Sequence, residues 1–301
     1  MLNKLWTFIR PFTLIVPAVG MIAGSIVALG APPRWQSDWV LGGVAISRQI
    51  LIGGLMAAVL NAASNALNQI FDVEVDRINK PDRMLPSGRL SISEAWKACA
   101  AAFLLALALA ALINWQCFFM ALAAVLLTFI YSAPPVRTKG RGFWANVTIA
   151  IPRGTLLFVA GWSCVKTITH AEPWWIGSVF GFYFLGATTT KDFSDVEGDR
   201  AHGCYTLPVL FGARKAAYMM SPFLVFPFLL ITIGAYLNIL HGNRALLMLL
   251  GLCLSVWGTY IAYLIVRRPD ELSGKENHIS WKHMYLLTVF AQVGLAVSYL
   301  V

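Results

Sequence analysis

Repeated apolar runs of near membrane-spanning length most constrain what this chain can fold into. A helix of about 20 residues is long enough to cross the hydrocarbon core of a bilayer. The 301-residue sequence is 58% hydrophobic and only 12% charged, with a mean hydropathy of +0.68. These values predict an all-α, polytopic membrane protein, with residues 1–301 forming a single transmembrane domain. Nine spans in one bundle are expected, near residues 12–30, 49–70, 95–113, 116–134, 144–163, 174–190, 216–237, 245–266 and 283–301.

Basic residues are distributed unequally between the two ends of these spans. With the N-terminus in the cytoplasm, 18 of the 23 Lys and Arg residues face the cytoplasm. Arg34, Arg48, Lys166 and Arg244 face the other side, and Arg153 lies inside a span. Since cytoplasmic loops are enriched in Lys and Arg, this bias predicts a cytoplasmic N-terminus. Together with anionic headgroups of membrane lipids, the bias also accounts for the net charge of +9, so no nucleic-acid partner is expected.

The cysteines and the N-terminal segment exclude two further classes. Five cysteines, an odd number without CxxC spacing, argue against a disulfide framework and against a thiolate metal site. The first apolar segment lacks a small-residue cleavage site. We therefore interpret it as the first span and not as a removed signal peptide.

An oxygen-rich motif stands at the end of the second span. Asn68, Asp72 and Asp76 are spaced i, i+4, i+8, which places them on nearly one face of a helix. A carboxylate inside the membrane costs about 2.5–3.5 kcal/mol on insertion scales. The motif therefore predicts a compensating cation.

The acidic sequence returns 123 residues later in the chain. The hexapeptides DVEVDR at residues 72–77 and DVEGDR at residues 195–200 agree at five of six positions. Leu-Pro follows each of them, at offsets that differ by one residue. We interpret this as an internal pseudo-repeat with one acidic helix end in each half. With the predicted orientation, both acidic motifs face the cytoplasm.

The second motif also presents several carboxylates on one face, and basic residues surround both motifs. Asp192, Asp195 and Asp199 are spaced i, i+3, i+7. Two clusters of hard oxygen ligands suit Mg²⁺, which proteins hold with a few carboxylates plus substrate phosphate. The candidate metal ligands are Asn68, Asp72, Asp76, Asp192, Asp195 and Asp199, and the candidate diphosphate-binding residues are Arg83, Arg137, Lys139 and Lys191.

Two further expectations follow from the membrane location. The apolar bundle suits a substrate whose long hydrocarbon tail carries a diphosphate head, because the head can lie at the carboxylates and the tail among the spans. An unpaired cation inside a span is costly, so Arg153 is expected to face the bundle interior and to meet a carboxylate or an anionic ligand.

These features resemble the UbiA superfamily of intramembrane prenyltransferases. The two acidic motifs are similar in spacing and order to the two aspartate-rich motifs of that family, and Asn79, Arg83 and Pro86-Ser87-Gly88 match the loop that follows the first. The resemblance covers about residues 10–212. Gln69 departs from the pattern, because many members carry an acid at that position.

The resemblance implies an activity and leaves the acceptor open. It implies two Mg²⁺ ions that bridge a prenyl diphosphate, with Asp72, Asp76, Asp195 and Asp199 as catalytic residues, and transfer to a lipid-soluble or amphiphilic acceptor in the membrane. YSAPP at 131–135 and DFSDVEGDR at 192–200 are similar to the branches that prenylate tetrapyrroles and homogentisate. NKPDRMLPSGRLS at 79–91 is equally similar to the branch that prenylates a glycerol-ether phosphate.

Two other functions fit part of the pattern. A terpene cyclase would use the same metal site without any acceptor. A cation transporter would use the acids as an ion path, but transport sites usually lie near the bilayer midplane, and these acids precede loops at one membrane face.

Overall fold

The computed structural model describes residues 2–33, 43–274 and 278–301, and no β-strand occurs in these ranges. The all-α prediction is therefore confirmed. The α-helices are α1 Leu2–Ile9, α2 Ile15–Gly30, α3 Gly43–Phe71, α4 Val73–Asn79, α5 Ile92–Ile113, α6 Trp115–Ser132, α7 Phe143–Ala150, α8 Leu157–Ser163, α9 Ala171–Ala187, α10 Thr189–Asp192, α11 Val196–Ala201, α12 Leu207–Tyr236, α13 Arg244–Arg267, α14 Pro269–Gly274 and α15 Ile279–Ser298.

Within these described ranges, seven helical segments are long and apolar enough to cross a membrane. They are Pro11–Gly30, Ile46–Phe71, Ile92–Ile113, Trp115–Ser132, Phe143–Ser163, Leu207–Tyr236 and Arg244–Arg267. The other two predicted spans correspond to helices α9 and α15, which are not among the seven. The membrane-spanning character is confirmed, whereas the count of nine spans and the cytoplasmic N-terminus stay predictions. Arg34 lies outside the described residues.

Two predicted spans are interrupted in ways that hydropathy does not reveal. A π-helical turn, Ile151–Leu156, separates α7 from α8 within the span predicted at 144–163. Pro152 in this turn has no backbone N–H to donate. Helix α12 starts at Leu207 and not near residue 216, and Gly212 breaks its first turns with φ 79° and ψ 162°. Only glycine adopts this positive φ without strain.

Small residues bring the helices close together, as is common in membrane proteins. A Cβ at Gly24 of α2 would lie 2.8 Å from the Phe158 carbonyl oxygen and 3.2 Å from the Gly161 Cα of α8. The Ser25 hydroxyl donates a hydrogen bond to the Gly161 carbonyl at 2.8 Å. These contacts fix α2 against α8 without large side chains between them.

The bundle contains a cavity of about 1100 Å³. Its walls come mainly from α2, α3, α6, α9 and α15 and from the broken span that contains α7 and α8. Apolar residues such as Met56, Leu60 and Leu157 line much of it, and both acidic motifs contribute residues to it. The fold thus brings the two halves of the sequence repeat to one cavity.

Candidate active site

The first acidic motif occupies the junction between α3 and α4. Helix α3 ends at Phe71, and Asp72 has φ −100° and ψ 10°, so the motif does not lie on one uninterrupted helix. Backbone hydrogen bonds nevertheless cross the junction, because Asp72 N–H donates to Asn68 O at 3.0 Å and Asp76 N–H donates to Asp72 O at 2.7 Å. As the spacing predicts, all three side chains line the same cavity.

The second motif has the same local geometry. Asp195 has φ −110° and ψ 5° between α10 and α11, and Asp199 N–H donates to Asp195 O at 2.9 Å. Asp192 and Asp195 line the cavity, whereas Asp199 is fully buried behind them. The matching backbone at Asp72 and Asp195 supports the internal repeat that the sequence indicates.

Asn79 joins the two motifs directly. Its Nδ2 donates to the Asp195 carbonyl at 3.0 Å, and its Oδ1 accepts from the Gly198 N–H at 2.8 Å. A Cβ at Gly198 would lie 2.5 to 2.7 Å from the Asn79 carboxamide. This contact explains the single difference between the repeated hexapeptides, where Val75 in the first half is replaced by Gly198 in the second.

Basic side chains hold most of the motif carboxylates. Lys139 Nζ donates to Asp72 Oδ2 at 2.6 Å and lies 3.8 Å from Asp199 Oδ1. Arg137 lies 3.2 Å from Asp72, and Arg83 donates to both oxygens of Asp76 at 2.5 Å. Three of the four predicted diphosphate-binding residues, Arg83, Arg137 and Lys139, are therefore gathered at the motifs.

Lys191, the fourth of them, faces the cavity without a carboxylate within 4.0 Å among the described residues. Burial, together with the positive charges of Arg153, Arg10, Lys80 and Arg83, lowers its pKa to about 7. Because the surroundings of Lys191 disfavour its positive charge, an anion bound beside it would stabilise the charged form.

Burial raises the pKa of the motif acids, whereas the neighbouring cations lower it. Burial raises the pKa of Asp199 to about 6 even though Lys139 opposes it, and burial together with repulsion from Asp199 and Asp195 raises the pKa of Asp192. Burial is also the largest single influence on Asp195, but Lys80, Arg83 and Lys139 together outweigh it and hold the pKa of Asp195 below its ordinary value. Asp192 and Asp199 therefore hold a proton more readily than an ordinary carboxyl group, and a bound cation would favour their charged forms.

The chemistry of these side chains fits Mg²⁺. Both carboxylate oxygens of Asp199 are buried and accept no hydrogen bond, and the other candidate ligands are likewise hard oxygen donors. As they stand, no three His, Cys, Asp or Glu side chains within the described ranges approach closely enough to hold a metal ion. Asp72, Asp76 and Asp195 are instead paired with Lys and Arg, which a bound cation and an anionic substrate could replace as partners.

Two residues of the site are not among the predicted ligands of metal or diphosphate. Lys80 forms an ion pair with Asp195 across the two halves of the chain, and Asn79 forms the link described above. Both follow the first motif directly in the sequence. Proximity to the motif was the available signal, but their partners lie more than 100 residues away.

Two cations of the site have unusual backbone conformations. Arg10 and Arg137 are non-glycine residues with positive φ, at 55° and 35°. Arg10 lines the cavity, and Arg137 contacts Asp72. Such conformations cost about 1–3 kcal/mol and cluster at functional sites, because the surrounding structure must hold them in place.

An apolar helical bundle in which two acidic motifs line one cavity defines the class of the protein as a membrane-embedded enzyme. The sequence model of the UbiA prenyltransferase family matches residues 18–287. The chain belongs to this family and is a prenyltransferase. The match extends well beyond the part of the chain that carries the motifs.

Proteins with similar sequences include two differently named synthases. The chain is 30% identical over 286 residues to digeranylgeranylglyceryl phosphate synthase of Thermococcus gammatolerans, covering 94% of both chains. It is 31% identical over 224 residues to chloroplastic chlorophyll synthase of Oryza sativa, covering 72% of this chain and 58% of the relative.

Solved structures show the same fold. A structure of digeranylgeranylglyceryl phosphate synthase matches with a TM-score of 0.68 and 24% identity over 99% of this chain and 98% of the other. A UbiA homologue from Archaeoglobus fulgidus bound to DMAPP and Mg²⁺ matches with a TM-score of 0.71 and 22% identity over 99% of both chains. The bundle described here is thus the fold of known family members.

Proposed function

We propose that this protein is a Mg²⁺-dependent intramembrane transferase that moves a polyprenyl group from a prenyl diphosphate to an acceptor and releases diphosphate. One observation carries the proposal: two acidic motifs, joined by Asn79, line a cavity of about 1100 Å³ whose walls are largely apolar. The motifs suit the charged head of the donor, and the walls suit its tail.

The candidate metal ligands divide between the two halves of the repeat. Asn68, Asp72 and Asp76 belong to the first half, and Asp192, Asp195 and Asp199 belong to the second. When bound, Mg²⁺ would stabilise the negative charge that develops on the leaving diphosphate. The fully buried Asp199 carboxylate, which accepts no hydrogen bond, is the acid with most to gain from such a cation.

The basic residues orient the donor and bind its leaving group. Lys139, Arg137 and Arg83 already point at the motif carboxylates and would donate to diphosphate oxygens lying between the motifs. In the reaction the C1–O bond of the donor breaks and its electron pair leaves with the diphosphate. The acceptor atom forms the new bond to C1 and loses its proton. Donors fixed in advance around the developing charge are the main source of catalysis in such a site.

The acceptor belongs to one of three classes: aromatic, tetrapyrrole or glycerol-ether. The relative from Thermococcus supports a glycerol-ether phosphate as the first to test, and the chlorophyll synthase supports a tetrapyrrole. An active site that faces the cytoplasm is supported by the location of 18 of the 23 Lys and Arg residues.

Purified protein in detergent tests the activity. Prenyl diphosphates of several lengths are supplied with Mg²⁺ and with each acceptor class, and diphosphate release and prenylated product are measured. We expect product with one acceptor class and none after chelation of the metal. Hydrocarbon or alcohol formed at the same rate from the donor alone would indicate a cyclase. Cation flux in proteoliposomes without any donor would indicate a transporter.

A further inference from the structure

The cavity lining carries more positive than negative charge. Among the residues that the structure describes, seven Lys and Arg side chains line it, against four Asp side chains. Three of these acids are paired, in Lys80–Asp195, Arg83–Asp76 and Lys139–Asp72. Asp192 is the remaining acid, and the other basic residues of the lining exceed it in charge. Unbalanced charge is costly in an apolar bundle, so the lining calls for anionic ligands.

The donor alone does not remove this surplus. If Mg²⁺ accompanies the diphosphate as proposed above, the metal charge offsets the diphosphate charge. A second anionic group in the cavity is therefore favoured by charge balance. This inference rests on the proposed function and concerns the other substrate, the acceptor.

Arg153 is the cation best placed for such a group. It lies in the π-helical turn Ile151–Leu156, and π-helical turns inside α-helices occur frequently at functional sites. The next residue, Gly154, packs directly against the backbone of Phe180 and Gly181, so that a Cβ there would collide with them. The turn is thus pressed against α9 through Gly154, while Arg153 lines the cavity.

Arg153 differs from the cations that hold the motifs. Within the described ranges, no Asp or Glu oxygen lies within 4.0 Å of its guanidinium and no side chain accepts a hydrogen bond from it. Its electrostatic neighbours are Tyr131 and the cation Lys191. It is the eleventh of the 21 residues of the span Phe143–Ser163, which places it near the middle of that span.

We propose that Arg153 binds an anionic oxygen group of the acceptor, a phosphate or a carboxylate, and so determines which acceptors the enzyme uses. A guanidinium presents a rigid planar set of donors that matches either group with two parallel hydrogen bonds. Its position on a wall of the cavity, with no Asp or Glu oxygen within 4.0 Å among the described residues, allows it to bind a second anion beside the donor diphosphate. The acceptor is thereby held with its anion deep in the bundle and its reacting atom toward C1 of the donor.

Matched acceptors test this role. One pair is a prenylglyceryl phosphate and the alcohol left by its dephosphorylation, and the other is a hydroxylated aromatic carboxylate and its methyl ester. Steady-state rates are measured for the wild type, Arg153→Gln, Arg153→Lys and a control, Arg244→Gln, which removes an exposed charge outside the cavity. Diphosphate release from the donor without acceptor is measured in parallel, and thermal unfolding reports whether each variant folds.

We expect the wild type to prefer the anionic member of one pair, which also identifies the anion. Arg153→Gln should raise the KM of that acceptor about 10- to 100-fold, as expected for loss of hydrogen bonds to a charged group. The neutral member, the donor KM and diphosphate release from donor alone should stay at wild-type values. Arg153→Lys should keep part of the preference, because it keeps the charge and loses the planar geometry, and Arg244→Gln should keep all of it.

Several results would overturn the inference. An unchanged anion preference in Arg153→Gln would do so, and so would an equal loss for both members of a pair. A parallel loss of diphosphate release from donor alone would assign Arg153 to the donor site instead. If Arg153→Gln does not fold, a wild-type acceptor KM in Arg153→Lys decides against the role. A wild type that releases no diphosphate from any donor would contradict the proposed function itself.

Discussion

Asp72 and Asp199 are buried acids on either side of Lys139, and they differ in how they are satisfied. Asp72 accepts the Lys139 ammonium at 2.6 Å, whereas the Asp199 oxygens accept no hydrogen bond and lie 3.8 Å or more from it. We expect Asp72→Asn and Asp199→Asn each to lower kcat more than 100-fold. Removing one group that stabilises the charge of a transition state typically lowers kcat by a factor of about 10²–10³. Only Asp72→Asn should destabilise the fold, by about 1–3 kcal/mol, because it weakens the partner of a buried cation.

Thermal unfolding in detergent and Mg²⁺-dependent diphosphate release together check this prediction. Asp82→Asn is the control, because Asp82 is exposed and lies outside both motifs. A near wild-type rate in Asp72→Asn or Asp199→Asn would contradict the role of that aspartate as a metal ligand. A loss of stability in Asp199→Asn equal to that in Asp72→Asn would show that Asp199 has a partner of its own.

Lys191 illustrates how the two halves of the repeat have diverged. The offset of 123 residues makes it the counterpart of Asn68. The first half thus places an amide at this position and the second half an ammonium, both facing the cavity. We expect Lys191→Ala to raise the donor KM and slow diphosphate release, with little change in the Mg²⁺ concentration for half-maximal activity. Lysine acts here as a flexible point charge toward the diphosphate and not as a metal ligand.

Magnesium titrations at saturating donor separate the two roles. Asp72→Glu should shift the metal dependence, and Lys97→Ala, at an exposed position, should change neither parameter. Normal donor KM and kcat in Lys191→Ala would leave Lys191 as one of the 18 cytoplasmic charges of the positive-inside bias and nothing more.

Helices α4 and α11 are held together by the Asn79 carboxamide and the Gly198 backbone. Gly198→Ala places a methyl group 2.5 to 2.7 Å from the atoms of that carboxamide and should force the helices apart. Overpacking of this kind typically costs about 1–3 kcal/mol. We expect reduced thermal stability and a higher Mg²⁺ requirement, because separating these helices separates the two sets of acids.

A double-mutant cycle measures this link. Asn79→Ala removes the side chain that the new methyl group meets, so Asn79→Ala/Gly198→Ala should be less destabilised than the sum of the single variants. Val75→Ala provides a matched change at the repeat-related position of α4. Strict additivity of the Asn79 and Gly198 variants would mean that the contact does not hold the motifs together.

The features that could be predicted from the sequence arise from patterns among neighbouring residues. The features that were missed arise from packing between the two halves of the internal repeat. Apolar runs and the spacing of Asn68, Asp72 and Asp76 are local, and the cavity-facing cluster of these side chains was anticipated. The bond from Asn79 to Asp195 joins residues 116 apart and has no local signature. The π-helical turn at Ile151–Leu156 is also absent from hydropathy, because hydropathy averages composition over a window and does not report which backbone groups form hydrogen bonds.

The whole cavity, and not the acidic motifs, should set the donor's chain length. The diphosphate contributes the same contacts for every donor, whereas each isoprene unit adds apolar surface along walls such as Leu60, Ala124 and Leu157. Burying a CH₂ group from water contributes about 0.8 kcal/mol, which is roughly fourfold in affinity. A tail that already lies in lipid gains much less, because the acyl chains are as apolar as the cavity walls.

Transfer of the tail from water and transfer from lipid therefore predict two regimes in the dependence of inhibition on prenyl chain length. Unreactive analogues of prenyl diphosphates should inhibit more tightly with each added unit while the analogue is drawn from water. Inhibition should then level off once the tail partitions into the detergent micelle or bilayer, or once it reaches the end of the 1100 Å³ cavity. Leu60→Trp narrows the cavity from α3 and should move the plateau to shorter chains, while the exposed Leu104→Trp adds the same bulk at an exposed position of α5. Inhibition constants that are flat from five to fifteen carbons, or a plateau that Leu60→Trp leaves in place, would show that the tail does not occupy this cavity.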